Sequence, residues 1–581
     1  MSRYTLSWKI GGEAGFGIKS SGIAFAKVCN RAGYEVFSYD EYPSLIRGGH
    51  NTHQVTVGES TIYSTVEAVD VLVALTQETI DAHCGELSYG AAVLYDKSTM
   101  RPSKNKLIAE RHIRFLPIPF AEITTEAQAP VVARNIVALG ASVALVGLPF
   151  ALLATVIKHS FSRKKEVLEA NLKAARLGYE YYRKNYGQHA FKVVLTQHTV
   201  AKEVLLTGND AIALGALAAG LQFYAAYPMT PSSSILHFLA AHARGERIIV
   251  KHAEDEISVI NMALGASHVG SRAMVGTSGG GFSLMVEALG LAGITETPLV
   301  IVEAQRPGPA TGLPTWTEQG DLRFVLHAAQ GEFPRIVLAP GDHEECFYLT
   351  AQAFNWAEQY QVPVIILTDK FLGESYRMVA PFDLKKVTID RGQAALTATQ
   401  IQGMREYQRY RVTDSGISPR SIPGTRGGEY LANSDEHDEY GFSSETIKDR
   451  ISQQTKRMAK LSTAARSLSG ATLYGDPRAR RTIVAWGSSK GPVLDALAWL
   501  PDRLRRKINF LHVNILWPFP AREVSAVLGR SKRVLLVENN ATAQLGGLIR
   551  EQTGIHIRHH LLKFDGRPIY PAEIKERIEH L

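Results

Sequence analysis

Short apolar runs alternate with amphipathic segments along most of the chain, and this alternation predicts an α/β fold. The runs at 71–75 and 92–95 have the length and composition of buried strands, and residues 170–186 carry apolar side chains at helical spacing. Strands that alternate with helices favour largely parallel sheets, so the pattern predicts an α/β fold class. Because the alternation occurs in three separate parts of the chain, we expect three α/β domains. Later apolar runs of the same kind lie at 273–275, 299–302, 364–367, 482–487 and 534–538.

Changes in composition divide the 581 residues into segments. We expect α/β domains at 1–190, 191–385 and 475–581, because a chain of this length is too long for one core. Residues 386–474 are polar and rich in turn residues, and they are interpreted as a linker or excursion that ends in a basic helical segment.

The stretch 136–157 is apolar enough to suggest a membrane span. It contains Gly147 and Pro149, and a proline interrupts a helix because it lacks a backbone N–H. The favoured interpretation is therefore a helix, a break and a second helix, both buried in the protein.

Composition and charge narrow the function classes. The chain is 45% hydrophobic and 21% charged, as in a globular protein without membrane spans, and its formal charge of +8 is spread among acids, which argues against nucleic-acid binding. The three cysteines, Cys29, Cys84 and Cys346, are too far apart for a metal or iron–sulfur spacing. Such sparse use of cysteine and the absence of a signal-like N-terminus predict a cytoplasmic protein.

A loop rich in proline and serine, Tyr227-Pro228-Met229-Thr230-Pro231-Ser232-Ser233, follows an apolar run. The prolines fix the loop, and Ser232 or Ser233 can cap the next helix, which leaves the Thr230 hydroxyl on a rigid turn. Taken alone, the segment is better explained as an ordinary strand–loop–helix junction, because Pro and Ser are common turn residues.

Charged residues follow at two further junctions. Glu254, Asp255 and Glu256 precede a helical pattern, where a carboxylate either acts chemically or complements the helix dipole. Arg306 comes after the apolar run at 299–302, beyond the carboxyl end of a strand, which is where ligands bind in open α/β sheets. The plain alternative for Arg306 is a surface ion pair.

Together these segments resemble the alpha subunit of the 2-oxoacid:ferredoxin oxidoreductases, and most closely the 2-oxoglutarate type with a gamma domain fused ahead of alpha. The resemblance covers nearly the whole chain, including Gly11–Gly17 and the Ile46-Arg47-Gly48-Gly49-His50 segment of a gamma domain. It implies a pyrimidine-binding-type thiamine diphosphate domain in the middle. The segments 517–520 and 564–568 imply a transketolase C-terminal-like domain at the end.

The resemblance also implies roles for particular residues. Tyr227, Pro228 and Glu256 would bind the cofactor, and the Glu256 carboxyl at the pyrimidine nitrogen would favour the tautomer that activates the thiazolium carbon. Arg306 and Thr230 would bind the 2-oxoacid carboxylate. A dicarboxylate such as 2-oxoglutarate needs a second cation, for which Arg47 is the hypothesis.

No Gly-Asp-Gly segment occurs in the sequence, although the resemblance leads us to expect one where diphosphate and magnesium bind. A beta partner should therefore supply the diphosphate site, the magnesium and an iron–sulfur cluster, with no metal on this chain. The expected reaction is the reversible, coenzyme A-dependent oxidative decarboxylation of 2-oxoglutarate with ferredoxin as acceptor. The expected assembly is an alpha–beta dimer of dimers.

Trp316 departs from the expected pattern, because relatives should often have a basic residue there. An aromatic ring removes a carboxylate or coenzyme A contact, which leaves pyruvate or another 2-oxoacid as alternative substrates. The competing class is a dinucleotide-binding oxidoreductase, suggested by Gly12, Gly15 and Gly17 after a strand, although their spacing is not Gly-x-Gly-x-x-Gly. A third possibility is a non-catalytic scaffold that keeps the site residues as relics.

Overall fold

A computed structural model of the chain describes residues 4–45, 48–102, 106–162, 165–188, 191–199, 203–392 and 396–580. Within these ranges the strands form sheets of eight, seven and five strands with helices packed on them. The predicted α/β class with three α/β domains is confirmed.

The first sheet is built mainly from the N-terminal region. Its strand β1 pairs in parallel with β4 and antiparallel with β3, and all six residues of β4 are buried. The elements of this region are β1 (Leu6–Glu13), α1 (Ile18–Arg31), β2 (Glu35–Glu41), β3 (His50–Gly58), β4 (Val69–Ala74), α2 (Gln77–His83), β5 (Leu87–Tyr95), α3 (Lys106–Glu110), β6 (Arg114–Pro117), α4 (Phe120–Glu126), α5 (Arg134–Leu145), α6 (Phe150–Ser160) and α7 (Lys165–Tyr186).

The apolar stretch 136–157 forms parts of α5 and α6, which are separated at Gly147 and Pro149 as predicted. Helix α5 is buried against α7, and their backbones meet at Gly140 and Gly178. A Cβ atom on Gly140 would lie 2.0 Å from the carbonyl oxygen of Ala175. In the described part of the chain, none of the helices is long and apolar enough to cross a membrane.

Gly140→Ala is expected to lower the free energy of unfolding by about 1–3 kcal/mol, because α5 and α7 must separate to accommodate the methyl group. Urea unfolding followed by circular dichroism measures the change. Gly245→Ala is the matched control, since a Cβ at that helical position meets nothing within 4 Å. An equal midpoint for Gly140→Ala and wild type would contradict the close helix contact.

The second sheet lies mainly in the middle of the chain and has the order β18-β12-β13-β11-β10-β8-β9, in which β18 (Ile515–Trp517) comes from the C-terminal region. Its strands β8, β10, β11 and β13 run parallel, so their carboxyl ends share one edge. The elements of this region are β7 (Val204–Thr207), α8 (Gly208–Ala218), β8 (Phe223–Ala226), α9 (Ser233–Glu246), β9 (Ile249–His252), α10 (Glu256–His268), β10 (Ala273–Thr277), α11 (Gly279–Ile294), β11 (Leu299–Gln305), α12 (Leu322–His327), β12 (Ile336–Leu338), α13 (His343–Tyr360), β13 (Pro363–Asp369), α14 (Lys370–Glu374) and β14 (Tyr376–Val379).

The linker region wraps onto the middle region and contains the helices α15 (Ala398–Gln402) and α16 (Ile447–Ser467). Lys456 and Lys460 of α16 are buried, and both form ion pairs with the buried carboxylate of Glu296. Buried Arg409 of the linker donates to the backbone oxygen of Glu296 at 3.0 Å. Glu296 thus anchors three linker cations, two through its carboxylate and one through its backbone oxygen.

The third sheet has the order β15-β17-β16-β19-β20 and forms the C-terminal α/β unit. Two sheets also include strands from beyond the predicted boundaries. The first sheet contains β7 and β14 of the middle region, and in the second sheet β12 pairs with β18 of the C-terminal region. The domain limits given above stay a prediction. The remaining elements are β15 (Ala471–Gly475), β16 (Arg481–Trp486), α17 (Lys490–Trp499), α18 (Asp502–Arg505), β17 (Ile508–Val513), β18 (Ile515–Trp517), α19 (Ala521–Leu528), β19 (Arg533–Glu538), α20 (Gln544–Thr553), β20 (His559–Leu562) and α21 (Pro571–Glu579).

Candidate active site

The proline-rich loop leaves β8 at the carboxyl edge of the second sheet. Tyr227 and Pro228 are exposed, and Tyr227 lies beside the ring of His252 with centroids 6.4 Å apart. Ser232 occupies the N-cap position of α9, but its hydroxyl donates to the backbone oxygen of Met229 instead of accepting from the helix. A side chain that the sequence did not single out, Asn209, holds the loop by donating to the Pro231 carbonyl at 2.8 Å.

The three consecutive acidic residues at the start of α10 differ in exposure and in contacts. Glu254 is exposed, and Asp255 is the helix cap, accepting a hydrogen bond from the backbone N–H of Ser258 at 2.7 Å. Glu256 is the first residue of the helix and is 3% exposed. Its Oε1 atom is buried and, among the described residues, has no hydrogen-bond partner. Because Asp255 caps the helix, the Glu256 carboxyl is left available to bind a ligand.

The glycine-rich turn, defined here as Ser278 and the first helical residues Gly279–Gly281 of α11, lies against this carboxyl. Helix α11 begins at Gly279, and a Cβ atom on Gly281 would lie 2.4 Å from Glu256 Oε1 and 2.1 Å from Thr277 Oγ1. The hydroxyl of Ser278 is also buried and unpaired within the described ranges. Unpaired buried polar atoms beside a helix N-terminus are costly unless a ligand satisfies them. The turn therefore has the character of a binding site.

Arg306 lies one residue beyond β11 and contacts the proline-rich loop. Its Nη1 atom donates to the backbone oxygen of Thr230 at 2.8 Å. The structure thus brings together two of the residues that the sequence assigned to the 2-oxoacid, although the bond is to the Thr230 backbone and not to its hydroxyl. Arg47 lies outside the described residues.

Trp316, which stands where the sequence led us to expect a basic residue, contacts an arginine of the C-terminal region. The guanidinium of Arg567 lies 3.3 Å from the centroid of the Trp316 ring, and Arg567 is 3.9 Å from a carboxylate oxygen of Glu41. A cation is therefore present beside Trp316, supplied by the C-terminal region through a contact that the sequence did not reveal.

No group of three or more His, Cys, Asp or Glu residues that could hold a metal ion is found in the parts of the chain that the structure describes. Cys29, Cys84 and Cys346 are each buried.

Comparison with known proteins identifies the site's family. Residues 214–456 match the family model described as pyruvate flavodoxin/ferredoxin oxidoreductase, thiamine diphosphate-binding, and residues 7–181 match that described as pyruvate ferredoxin/flavodoxin oxidoreductase. The chain is 34% identical to the alpha subunit of the 2-oxoacid:ferredoxin oxidoreductase of Saccharolobus solfataricus, over 99% of this chain and 97% of that one.

Two further relatives are named for 2-oxoglutarate. The chain is 30% identical to the 2-oxoglutarate oxidoreductase subunit KorA of Mycobacterium tuberculosis, over 93% of this chain and 86% of that one. It is 32% identical, with a TM-score of 0.91 and 99% coverage of both chains, to the 2-oxoglutarate:ferredoxin oxidoreductase of Magnetococcus marinus, solved with 2-oxoglutarate, coenzyme A and succinyl-CoA bound. From the site and these similarities together, we conclude that this chain belongs to the family of 2-oxoacid:ferredoxin oxidoreductase alpha subunits, with a region that matches the pyruvate ferredoxin/flavodoxin oxidoreductase model ahead of its thiamine diphosphate-binding domain.

Proposed function

We propose that this chain provides the pyrimidine half of a thiamine diphosphate site, and that a beta subunit completes the site. The assembled enzyme would convert 2-oxoglutarate and coenzyme A reversibly into succinyl-CoA and carbon dioxide, with ferredoxin as the electron acceptor. The beta subunit would hold the diphosphate, its magnesium and an iron–sulfur cluster.

The observation that carries the proposal is the unpaired, buried Oε1 of Glu256 opposite Gly281. A bound pyrimidine nitrogen would satisfy this atom, and thiamine diphosphate supplies a carbon nucleophile and an electron sink when bound. Glu256 would hold or share a proton at that nitrogen. The absence of a side chain at Gly281 lets the Glu256 carboxyl lie close to the first turn of α11.

Arg306 is proposed to bind the 2-oxoacid carboxylate, because a guanidinium can donate two parallel hydrogen bonds to it. Its bond to the Thr230 carbonyl fixes the guanidinium relative to the proline-rich loop. Tyr227 and Pro228 are exposed on that loop, which suits contact with a cofactor held between two subunits.

The choice of 2-oxoglutarate is supported by the two relatives named for that acid, whereas pyruvate is the alternative. The cysteine content supports a cytoplasmic location as part of the proposal. An alpha–beta dimer of dimers remains the predicted assembly.

The substrate is tested by anaerobic co-purification with the beta partner, followed by coenzyme A-dependent reduction of ferredoxin with either acid. We expect kcat/KM for 2-oxoglutarate to exceed that for pyruvate by about tenfold or more, since one charged hydrogen bond discriminates by this factor. A preference for pyruvate would contradict the assigned substrate, and inactivity with every 2-oxoacid would contradict the proposed reaction.

Arg47→Ala is expected to raise the KM for 2-oxoglutarate by about 10- to 150-fold, because the distal carboxylate would lose a charged partner. Residues that flank Arg47, including Leu45 and Gly49, line a cleft of about 530 Å³ that Trp316 and Arg567 also border. Pyruvate lacks the second carboxylate and is the matched control substrate, so its KM should not change. Unchanged saturation by 2-oxoglutarate would remove Arg47 from the site.

The two alternative classes have distinct outcomes. A dinucleotide-binding oxidoreductase, the class suggested by Gly12, Gly15 and Gly17, would bind nicotinamide or flavin as the isolated chain. A non-catalytic scaffold with relic residues would give an assembled complex that holds its cofactor but is inactive.

A further inference from the structure

A fully buried glutamate lies next to the candidate active site. Glu303 is the fifth residue of β11, between Thr277 of β10 and Leu367 of β13 in the strand registers, and its exposure is 0%. Neither of its carboxyl oxygens has an N–H or hydroxyl donor among the residues that the structure describes. A charged carboxylate without a hydrogen-bond donor is strongly disfavoured in the protein interior. The Glu303 carboxyl therefore needs a hydrogen-bond partner of another kind.

The carboxyl group of Asp321 is that partner. A side-chain hydrogen bond to Asp321 contributes to the shifted pKa of Glu303, and a bond between two carboxyl groups exists only when one of them carries a proton. Burial, with the nearby charge of Asp321, raises the pKa of Glu303 well above its usual range, which places the proton on Glu303. Asp321 then accepts the hydrogen bond as the charged member of the pair.

Asp321 connects the pair to the glycine-rich turn. Its backbone N–H donates to the side-chain oxygen of Gln305 at 3.0 Å, which fixes Asp321 against β11. Its Oδ2 lies 2.5 Å from the position that a Cβ on Gly279 would occupy, at the start of α11. A helix N-terminus favours a negative charge, so the Asp321 carboxylate is stabilised there. Its charge also acts on Arg306, the residue that follows Gln305.

We propose that Glu303 is a positioning residue, whose protonated carboxyl donates to Asp321 and so fixes a single negative charge facing Arg306 and the glycine-rich turn. With one proton on the pair, Arg306 and the pair have no net charge. Loss of that proton adds a negative charge beside the guanidinium and opposes binding of a substrate carboxylate. This inference rests on the proposed role of Arg306 in binding the 2-oxoacid.

The charge balance predicts how binding depends on pH. The charged groups that act on Glu303 are Asp321, Asp369 and Arg306, and the charge of Asp321 also acts on Glu318. In the wild-type complex, the KM for the 2-oxoacid should rise at alkaline pH as the pair loses its proton. Glu303→Gln supplies an amide donor to Asp321 but has no proton to lose, so its KM should stay close to the wild-type value at pH 7 and remain flat at higher pH.

Glu303→Ala removes the donor and should raise the KM by about tenfold or more at pH 7, with a smaller change in kcat, because a hydrogen bond to a charged group is lost. Rescue by glutamine separates positioning from simple packing. Glu35→Gln is the control, since Glu35 has a raised pKa of about 7 and interacts with Glu203, Arg377 and Glu344 instead. Its KM profile should match that of the wild type.

Infrared difference spectra provide a second readout that does not depend on activity. The wild-type chain minus Glu303→Gln should show the carbonyl stretch of a protonated carboxylic acid at neutral pH. Absence of this band, or a Glu303→Gln complex that keeps the wild-type alkaline rise in KM, overturns the proposal. A wild-type complex without 2-oxoacid activity would overturn the proposed function instead, and the infrared band would still decide where the proton lies.

Discussion

Glu256→Gln is expected to lower the kcat of the assembled enzyme by a factor of about 10² to 10⁴, the usual contribution of a positioned acid or base. The amide has the same shape as the carboxyl but cannot exchange a proton at the pyrimidine nitrogen. Glu256 does not cap its helix, because Asp255 does so. The free energy of unfolding should therefore change by less than about 1 kcal/mol. Steady-state kinetics and urea unfolding of the same preparation measure both quantities.

Glu254→Gln is the control for this substitution. Glu254 is a carboxylate two residues away in the same segment, and it is exposed. We expect its kcat to match that of the wild type. Equal activity for Glu256→Gln and Glu254→Gln would show that the buried carboxyl has no part in the reaction.

Glu296→Gln is expected to destabilise the protein by about 3–5 kcal/mol, the cost of breaking a buried ion pair from one side. The substitution leaves Lys456, Lys460 and Arg409 buried around a neutral amide. The three cations come from the linker region, so its packing onto the middle region should weaken first. Urea unfolding and proteolysis of the linker region report the change.

Lys460→Met is the comparison variant for Glu296→Gln. It removes one of the three cations and leaves Glu296 paired with Lys456. Burial, with the neighbouring Lys456, lowers the pKa of Lys460 to about 7 from 10.5. The unfolded chain therefore binds more protons between these values, and the free energy of unfolding contributed by Lys460 rises with pH across that window. Lys460→Met should cost far less than Glu296→Gln and should flatten the rise. A larger loss in Lys460→Met would contradict the account of the cluster.

The fold class was predictable from the sequence because each buried strand and its crossover helix leave a local pattern. The break between α5 and α6 was predictable from Gly147 and Pro149 for the same reason. The addition of β7 and β14 to the first sheet was not predictable, since each strand has four residues and nothing in its own sequence specifies a partner sheet. The burial of Lys456 and Lys460 was also missed, because a basic helix normally faces solvent and Glu296 is 160 residues from Lys456.

At the site, sequence reasoning named Glu256, Thr230 and Arg306, and the structure adds how they are held. The bond from Arg306 to the Thr230 carbonyl joins residues 76 positions apart, and no local pattern reports such a contact. Glu303 left one visible signal, a single acid in the otherwise apolar run of β11. Its partner Asp321 could be found only from the fold.

The most direct test of the central claim is reconstitution from separately purified alpha and beta subunits under anaerobic conditions. The measured quantity is the rate of coenzyme A-dependent ferredoxin reduction by 2-oxoglutarate, with thiamine diphosphate and magnesium present. We predict no turnover with this chain alone and a rate that rises with added beta subunit to a stoichiometric plateau. Turnover by this chain alone would contradict the claim that it contains only the pyrimidine half of the site.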